Sequence, residues 1–435
     1  MNTVGGMSSS GLSKTDIGAA AHEHLVGGIA GEFYSMNAAH YNTTAPPSYN
    51  HEPHVAQASF DRMLANSTVT VLRGGHGANV ATVNKVGERI VSLHTSDGRA
   101  FAADVYIDAS YEGDLLAAAG GSYTVGRESI AQYNESAAGR RADDFNGGYQ
   151  FKVRVDPFGA DGKPLPLLAR DEVGVPGSSD CLVQAYNFRL CATSDPSPGR
   201  QAPFPLPDPS SKFARNETWE LARRYFADPN WRKAERGGDL TFSSESPPLD
   251  HKQFKRDWNN PFLSPLNSDC VQGCNQSGYP EATISGRLQI WEDHKQYYLS
   301  LLHFYKTDPA VPASVRKTLS EWGLCNDEFP STGDHWPPQL YVRETRRMVG
   351  DRVFTQNSPV LESHTVGNTS IGCGDYTFDS HPAQRFACRN GTDPRCAGAK
   401  PPWLKQGETL PFAWSEGNVE QGIEKPYPIP VSCGQ

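Results

Sequence analysis

IDASYEGDLLAAAG, residues 107–120, is the stretch whose reading decides the fold. A strand-forming residue, Ile107, leads into Asp108, Ala109, Ser110, Tyr111, Glu112, Gly113 and Asp114, and then into the helix-like run LLAAAG. A strand whose carboxyl end opens into small residues is where α/β sheets receive ligands, because backbone amides there approach a bound group closely. The same letters also describe a plain strand-to-helix turn with Asp108 or Ser110 as its cap.

Upstream, NVATVNKVGERIVSLHTSDGRAFAADVYIDAS predicts a three-stranded meander over Val80–Val86, Arg89–His94 and Ala100–Asp108, turning at Gly87 and at Asp97-Gly98. TVTVLRG, residues 68–74, reads as a short strand. A helix starts near Pro53 with Ala56, Phe60, Met63 and Leu64 on one face. An earlier helix, capped by Thr15 or Asp16, carries Leu25, Ile29 and Phe33 at i+4 spacing. Downstream, residues 126–330 are rich in proline and loops. One clear helix lies near Glu281–Lys306, with a stripe of Leu288, Trp291, Tyr298, Leu302 and Tyr305.

A chain of 435 residues has room for about two to three domains. Its net charge of −9 argues against nucleic acid as a partner, since phosphate contacts need a basic face. No apolar run approaches the ~18 residues that span a bilayer. N-x-[S/T] sequons stand at Asn42, Asn66, Asn134, Asn216, Asn275, Asn368 and Asn390, against roughly three expected by chance. All nine cysteines follow residue 180, and Cys388 and Cys396 bracket a short loop holding the Asn390 sequon, as Cys270 and Cys274 bracket another. A glycosylatable loop closed by a disulfide fits a secreted protein or an endomembrane lumen. Nothing in the sequence sets an oligomeric state.

Three further groups carry chemistry. Arg343, Arg346 and Arg347 cluster with Tyr341 and Glu344, and fixed guanidinium groups hold a carboxylate or stabilise developing negative charge. The other reading is a strand with solvated charges on one face. His381, near Asp379, is placed to relay a proton with the carboxylate fixing its tautomer. Asn187 and Arg189 in AYNFRL are candidates to face a substrate. The pairs His22/His24 and His51/His54 lack a third ligand at zinc-site spacing, so no metal is expected.

Together these segments resemble an FAD-dependent oxidoreductase family of the two-dinucleotide-binding, glutathione-reductase-like flavoproteins. The resemblance rests on GGMSSSGLSKTDIG (residues 5–18), IDASYEGDLLAAAG (107–120) and YVRETRRMVG (341–350). It extends to EPHVA at Glu52, YTVGRES at Tyr123, QAYNFRLC at Gln184, YPEA at Tyr279 and the DSH segment at Asp379. It implies an α/β fold with α+β elements, in which a partial Rossmann-like FAD-binding domain with its β-meander carries an inserted, loop-rich substrate domain. The implied boundaries are 1–125 for the FAD-binding part, 126–345 for the substrate or cap part, and 346–435 for a return toward the FAD domain.

FAD is the implied cofactor, and a small organic molecule the implied hydride donor. The cofactor-facing residues implied are Gly5, Gly6, Met7, Ser9 and Gly11 on one loop, with Asp108, Ala109, Ser110, Gly113 and Asp114 on the other. Tyr341, Arg343, Arg346 and His381 are the implied catalytic residues. In the family the GGM loop follows a G-x-G-x-x-G unit, which the sequence lacks, as it lacks a final segment that closes over the flavin. Met1 then reads as an internal methionine of a longer flavoprotein, and the chain as it stands is expected to bind FAD weakly or not at all. A redox-inactive secreted glycoprotein or binding module retaining the scaffold is the alternative.

Overall fold

Gly5 and Gly6 take positive φ angles of 103° and 55°, and neither position has room for a side chain. A Cβ on Gly5 would lie 2.1 Å from the Phe60 ring, and one on Gly6 would lie 2.5 Å from the Tyr111 hydroxyl. The loop therefore turns tightly into α1 (Met7–Ser10). The structure is a computed structural model. It describes residues 3–13, 15, 26–41, 49–73, 79–141, 151–169, 175–231, 254–259, 263, 266, 278–358, 370–374, 378–393, 396, 409–415, 420–421 and 427–430. Helices and several small sheets alternate along the chain, a mixed α/β arrangement.

The next helix, α2, spans Gly28–His40 rather than starting near Thr15. Its late start turns Ile29 out to solvent, while Phe33 is buried and stacks on Phe60 with ring centroids 4.5 Å apart. Asp16 and Leu25 lie outside the described residues. Helix α3 (Pro53–Ala65) begins on Pro53 as expected, with Ala56 fully buried and Phe60, Met63 and Leu64 half-buried.

Two expected strands differ. Residues 68–73 form no strand, and Val69, Val71 and Leu72 are exposed, so this segment has neither a ladder nor a buried face. The meander itself is present, with β1 (Val80–Val86), β2 (Arg89–Thr95) and β3 (Ala100–Phe101) antiparallel and turning at Gly87 and at Gly98, whose N–H meets the Thr95 carbonyl. Its third strand stops at Phe101 instead of reaching Asp108. Beyond it the chain is unpaired, and Val105 and Ile107 are 72% and 83% exposed.

Helix α4 (Asp114–Ala118) follows the tip, and β4 (Tyr123–Thr124) pairs with β9 (Arg347–Met348), joining the YTVGRES and YVRETRRMVG segments. A four-stranded antiparallel sheet has the order β6 (Gln201–Ala202), β8 (Gly323–Cys325), β5 (Leu190–Thr193), β7 (Lys255–Trp258). Disulfide Cys191–Cys325 crosses between its neighbouring strands β5 and β8. The expected Cys388–Cys396 disulfide is also formed, while Cys270 and Cys274 lie outside the described residues.

The long helix α5 (Ile284–Thr307) is capped by the Thr283 hydroxyl, which accepts the Gly286 N–H at 3.2 Å. It presses Tyr297, Tyr298, Leu301 and Tyr305 into the main core beside Phe188, Trp219 and Trp336. Leu288, expected in the stripe, is exposed because the first turns of this helix extend past the core, and Trp291 only partly enters it. Ala387 and Ala413 join the same core from the last part of the chain.

The two disulfides should differ in worth. Cross-linking removes disorder from the unfolded chain in proportion to the logarithm of loop length. Replacing Cys191 and Cys325, 134 residues apart, by alanine should lower unfolding free energy by about 5 kcal/mol. Replacing Cys388 and Cys396, 8 apart, should cost about 2 kcal/mol. Urea unfolding of the two double variants checks the order.

Candidate functional site

Segments far apart in sequence converge around Arg343. Its Nε donates to the Ala185 carbonyl at 3.1 Å and its Nη2 to Asn187 Oδ1 at 2.9 Å. The guanidinium lies 4.3 Å from the Tyr341 ring centroid, a cation–π distance. Asn187 is fully buried and holds this geometry from the other side. Its Nδ2 donates to the carbonyl and Oδ1 of Asn259, and its own carbonyl accepts the Tyr341 N–H at 2.8 Å.

Behind this group stands a buried ion pair. Arg189 donates through Nε and Nη2 to the two carboxylate oxygens of Asp257, at 2.9 and 2.6 Å. Asp257 Oδ2 also accepts the Ser13 N–H at 3.0 Å, tying the end of the GGM loop to β7. The Arg189 guanidinium lies 5.9 Å from the same Tyr341 ring.

His381 is buried, and its backbone N–H donates to Gln184 Oε1 at 2.8 Å. Burial, with the positive charges of Arg343 and Arg189, holds its imidazole well below the usual histidine range. The ring is therefore neutral at pH 7. Asp379, expected to fix its tautomer, contributes backbone to a short strand, Phe378–Asp379, but its side chain is outside the described set.

A cavity of about 870 Å³ opens in front of these residues, lined in part by Ser110, Tyr111, Gln184, Arg343, Glu344 and His381. Five arginines, Arg127, Arg141, Arg343, Arg347 and Arg352, line it together with Glu128, Glu135 and Glu344. Arg127 is paired with Asp180, and Arg347 with Glu128 and Glu344. Tyr341, Arg189 and Asn187 are not among the lining residues; Asn187 and Tyr341 hold Arg343, and Arg189 lies against Tyr341.

The two loops expected at the cofactor meet through Tyr111, whose hydroxyl accepts the Met7 N–H at 2.8 Å. Much of each loop's polar capacity is spent internally. Ser8 N–H bonds Gly5 and Ser9 N–H bonds Gly6, while the Ser9 hydroxyl donates to the Val4 carbonyl. A Cβ on Gly11 would come 3.2 Å from the Arg189 carbonyl, so this glycine permits close packing. The Asp108 carboxylate accepts from Ser110 N–H and hydroxyl and from the N–H groups of Leu115 and Leu116, and the Ser110 hydroxyl accepts the Gly113 N–H. The tip is a capped turn into α4, with Ala109 exposed and Ser110 reaching the cavity.

Arg346 and Asp114 are placed elsewhere. Arg346 pairs with Asp114 at 2.7 Å and Glu281 at 2.8 Å, and Arg287 grips Asp114 through two bonds of 2.7 and 2.9 Å. Burial raises the Asp114 carboxyl pKa, and the two guanidiniums overcome this and hold it below its usual range. Neither Arg346 nor Asp114 lines the cavity. Sequence reasoning names Tyr111 in the tip and reaches the motif that begins at Gln184 without giving Gln184 a role, and it misses Asp257, for which the acid in KRDW beside Trp258 is a hint.

Glu52, His54 and Glu328 bring ligand-type atoms within 4.8 Å of one another, a grouping that needs a residue 274 positions from His54. The Lys255 ammonium bonds Glu52 and Asp327, and His54 Nδ1 lies 2.6 Å from Glu328 Oε1. The cluster thus carries its own neutralising charge. His22 and His24 lie outside the described residues.

The described residues form a mixed α/β protein with an arginine-lined cavity. The model of the FAD dependent oxidoreductase family matches residues 1–433, and the chain belongs to that family. FAD is its cofactor, its general function is redox chemistry, and a small molecule is its substrate class. No curated protein and no solved structure matches. No helix among the described residues is long and apolar enough to cross a membrane.

Two measurements follow from this charge layout. Arg346→Met leaves Asp114 and Glu281 short of a partner in a mostly buried site, and should lower unfolding free energy by about 2–4 kcal/mol in urea melts. Acid should also destabilise the fold through buried neutral histidines. Burial holds His294 down to about 4, and His51 and His381 below their usual range as well. The unfolded chain then binds more protons, so stability is full above pH 6.5 and falls as pH drops toward these values. His294 alone should account for about 3 kcal/mol by pH 4. His54 has the opposite sign: burial lowers its pKa, but Glu328 outweighs this and raises it, so its contribution is lost as pH rises. Denaturant midpoints from pH 7 to 4, with and without His294→Leu, test the balance.

Proposed function

We propose that the chain removes a hydride from a small organic substrate held in the cavity beneath Arg343 and His381. The reading is carried by one observation: a neutral, buried histidine and a rigidly bracketed guanidinium share a single cavity wall. The lining suits the cofactor, since ring carbonyls and phosphates are acceptors and arginines, Arg343 among them, border the space. Bound there, FAD supplies the hydride acceptor.

The protein's own residues would divide the remaining tasks. Arg343, fixed by Ala185 and Asn187 and stacked on Tyr341, orients a carboxylate or other acceptor-bearing end of the substrate. A ring nitrogen of His381 takes the proton lost from the carbon-bound hydroxyl or amine as the hydride departs, which requires the neutral form. Ser110 and Tyr111 border the cavity from the tip loop, where the resemblance sets the cofactor. Residues 1–125 and 346–435 then make the cofactor side, and residues 126–345 the substrate side.

Stopped-flow reduction of FAD-loaded protein tests the assignment. His381→Asn should slow flavin reduction by 10²–10⁴-fold with FAD affinity unchanged. Arg343→Met should raise the substrate concentration needed for half-maximal reduction, and Arg346→Met should leave the rate intact in whatever fraction folds. A His381→Asn protein reduced at the native rate would remove His381 from the chemistry.

A further inference from the structure

Every sequon asparagine whose side chain the structure describes lies at the surface. Asn66, Asn134 and Asn216 are exposed and Asn390 is half-exposed. Asn37 and Asn187, which stand in no sequon, are completely buried. The cysteines point the same way: Cys181, Cys191, Cys325, Cys388 and Cys396 are all disulfide-bonded, with both members of the Cys191–Cys325 pair buried in the sheet. Such bonds form and persist in oxidising compartments.

Asn216 has a defined surrounding among the described residues. It borders a surface groove of about 410 Å³ with Leu206, Pro207, Pro209, Trp219 and His303. Leu206 is 77% exposed, a large apolar side chain beside the asparagine with protein on one side only. Arg223 donates to both the backbone carbonyl and the Oδ1 of Asn216 and pairs with Asp308, which pins the carboxamide by its oxygen. The amide nitrogen, the atom to which an N-glycan attaches, takes no part in that network.

We propose that the chain matures in a secretory compartment and carries an N-linked glycan on Asn216 whose first sugars cover this groove. In the transfer, Asn216 Nδ2 forms a bond to the anomeric carbon of an oligosaccharide carried on a lipid diphosphate. The bond from that carbon to the diphosphate oxygen breaks, the lipid diphosphate leaves with the electron pair, and the Nδ2 proton passes to the transferring enzyme. The N-acetyl methyl and the apolar ring faces of the first sugars pack on Leu206, Pro207 and Pro209, shielding apolar area that water otherwise meets. The order of events is constrained too. The third sequon residue, Thr218, is buried in the fold and donates to the Lys212 carbonyl, so attachment precedes closure of this region. The inference is independent of the redox reading.

The test uses full-length protein purified from the cells that make it. Peptide mass spectrometry should find the Asn216 peptide bearing hexosamine, and Cys191 and Cys325 joined under non-reducing conditions. Enzymatic trimming to a single sugar should leave the melting midpoint in place, and complete removal should lower it by about 2–4 °C. Asn66→Gln, which alters an open surface, should not shift it. An unmodified Asn216 peptide overturns the proposal. So does full glycan removal without a shift in midpoint, since the groove would then be uncovered at no cost. The trimming series reads the glycan on a folded protein, so it decides the matter even where Asn216→Gln disturbs the contact with Arg223.

Discussion

The carboxylate of Asp257 is the group on which the candidate site depends. Its side chain is completely buried, and so is nearly all of Arg189. Removing two charges from water costs several kcal/mol each, which only close pairing and further hydrogen bonds offset. Both are present here: two short bonds from Arg189 and a third from the Ser13 N–H. One carboxylate thereby joins the N-terminal loop, the edge strand β7 and the guanidinium behind Tyr341. The position of Arg343 and the charge state of His381 inherit that anchoring, since Arg189 faces the first through Tyr341 and biases the second electrostatically.

The three arginines of YVRETRRMVG show how one residue type is divided among roles by its acceptors. Arg343 meets neutral acceptors, a carbonyl and a carboxamide, beside the cavity. Arg346 is taken up by Asp114 and Glu281, and Arg347 by Glu344 and Glu128. Between them, buried Thr345 donates to the Tyr111 carbonyl and fixes the segment against the tip loop. A guanidinium already shared between two carboxylates stabilises a junction.

Local patterns were legible where the element's cause is local. Pro53 at a helix start, Asp97-Gly98 at a hairpin, and the short loop closed by Cys388 and Cys396 each act within a few residues, and all three appear as read. Patterns whose outcome depends on a distant partner misled. TVTVLRG and VYIDAS carry strand-forming residues, but strand propensity describes a side chain's fit to a pleated, half-buried surface, and neither segment has one among the described residues. Leu288 and Ile29 kept helical spacing yet sit where the helix has no core to face.

The sequence by itself determined the family, through motifs dense enough to need no structure, and with it the cofactor. It also marked Asn187, Arg189, Tyr341, Arg343 and His381 as candidates. Only the tertiary structure decided that these five belong together and that Arg346 and Asp114 serve a separate junction. It likewise decided that Asp108 caps a turn and that Gln184 and Asp257 complete the group. The physical reason is that a side chain's role is set by which charge or acceptor lies within about 3 Å of it. Spacing along a strand or helix fixes that only for near neighbours, whereas Arg343 meets Asn187 across 156 residues.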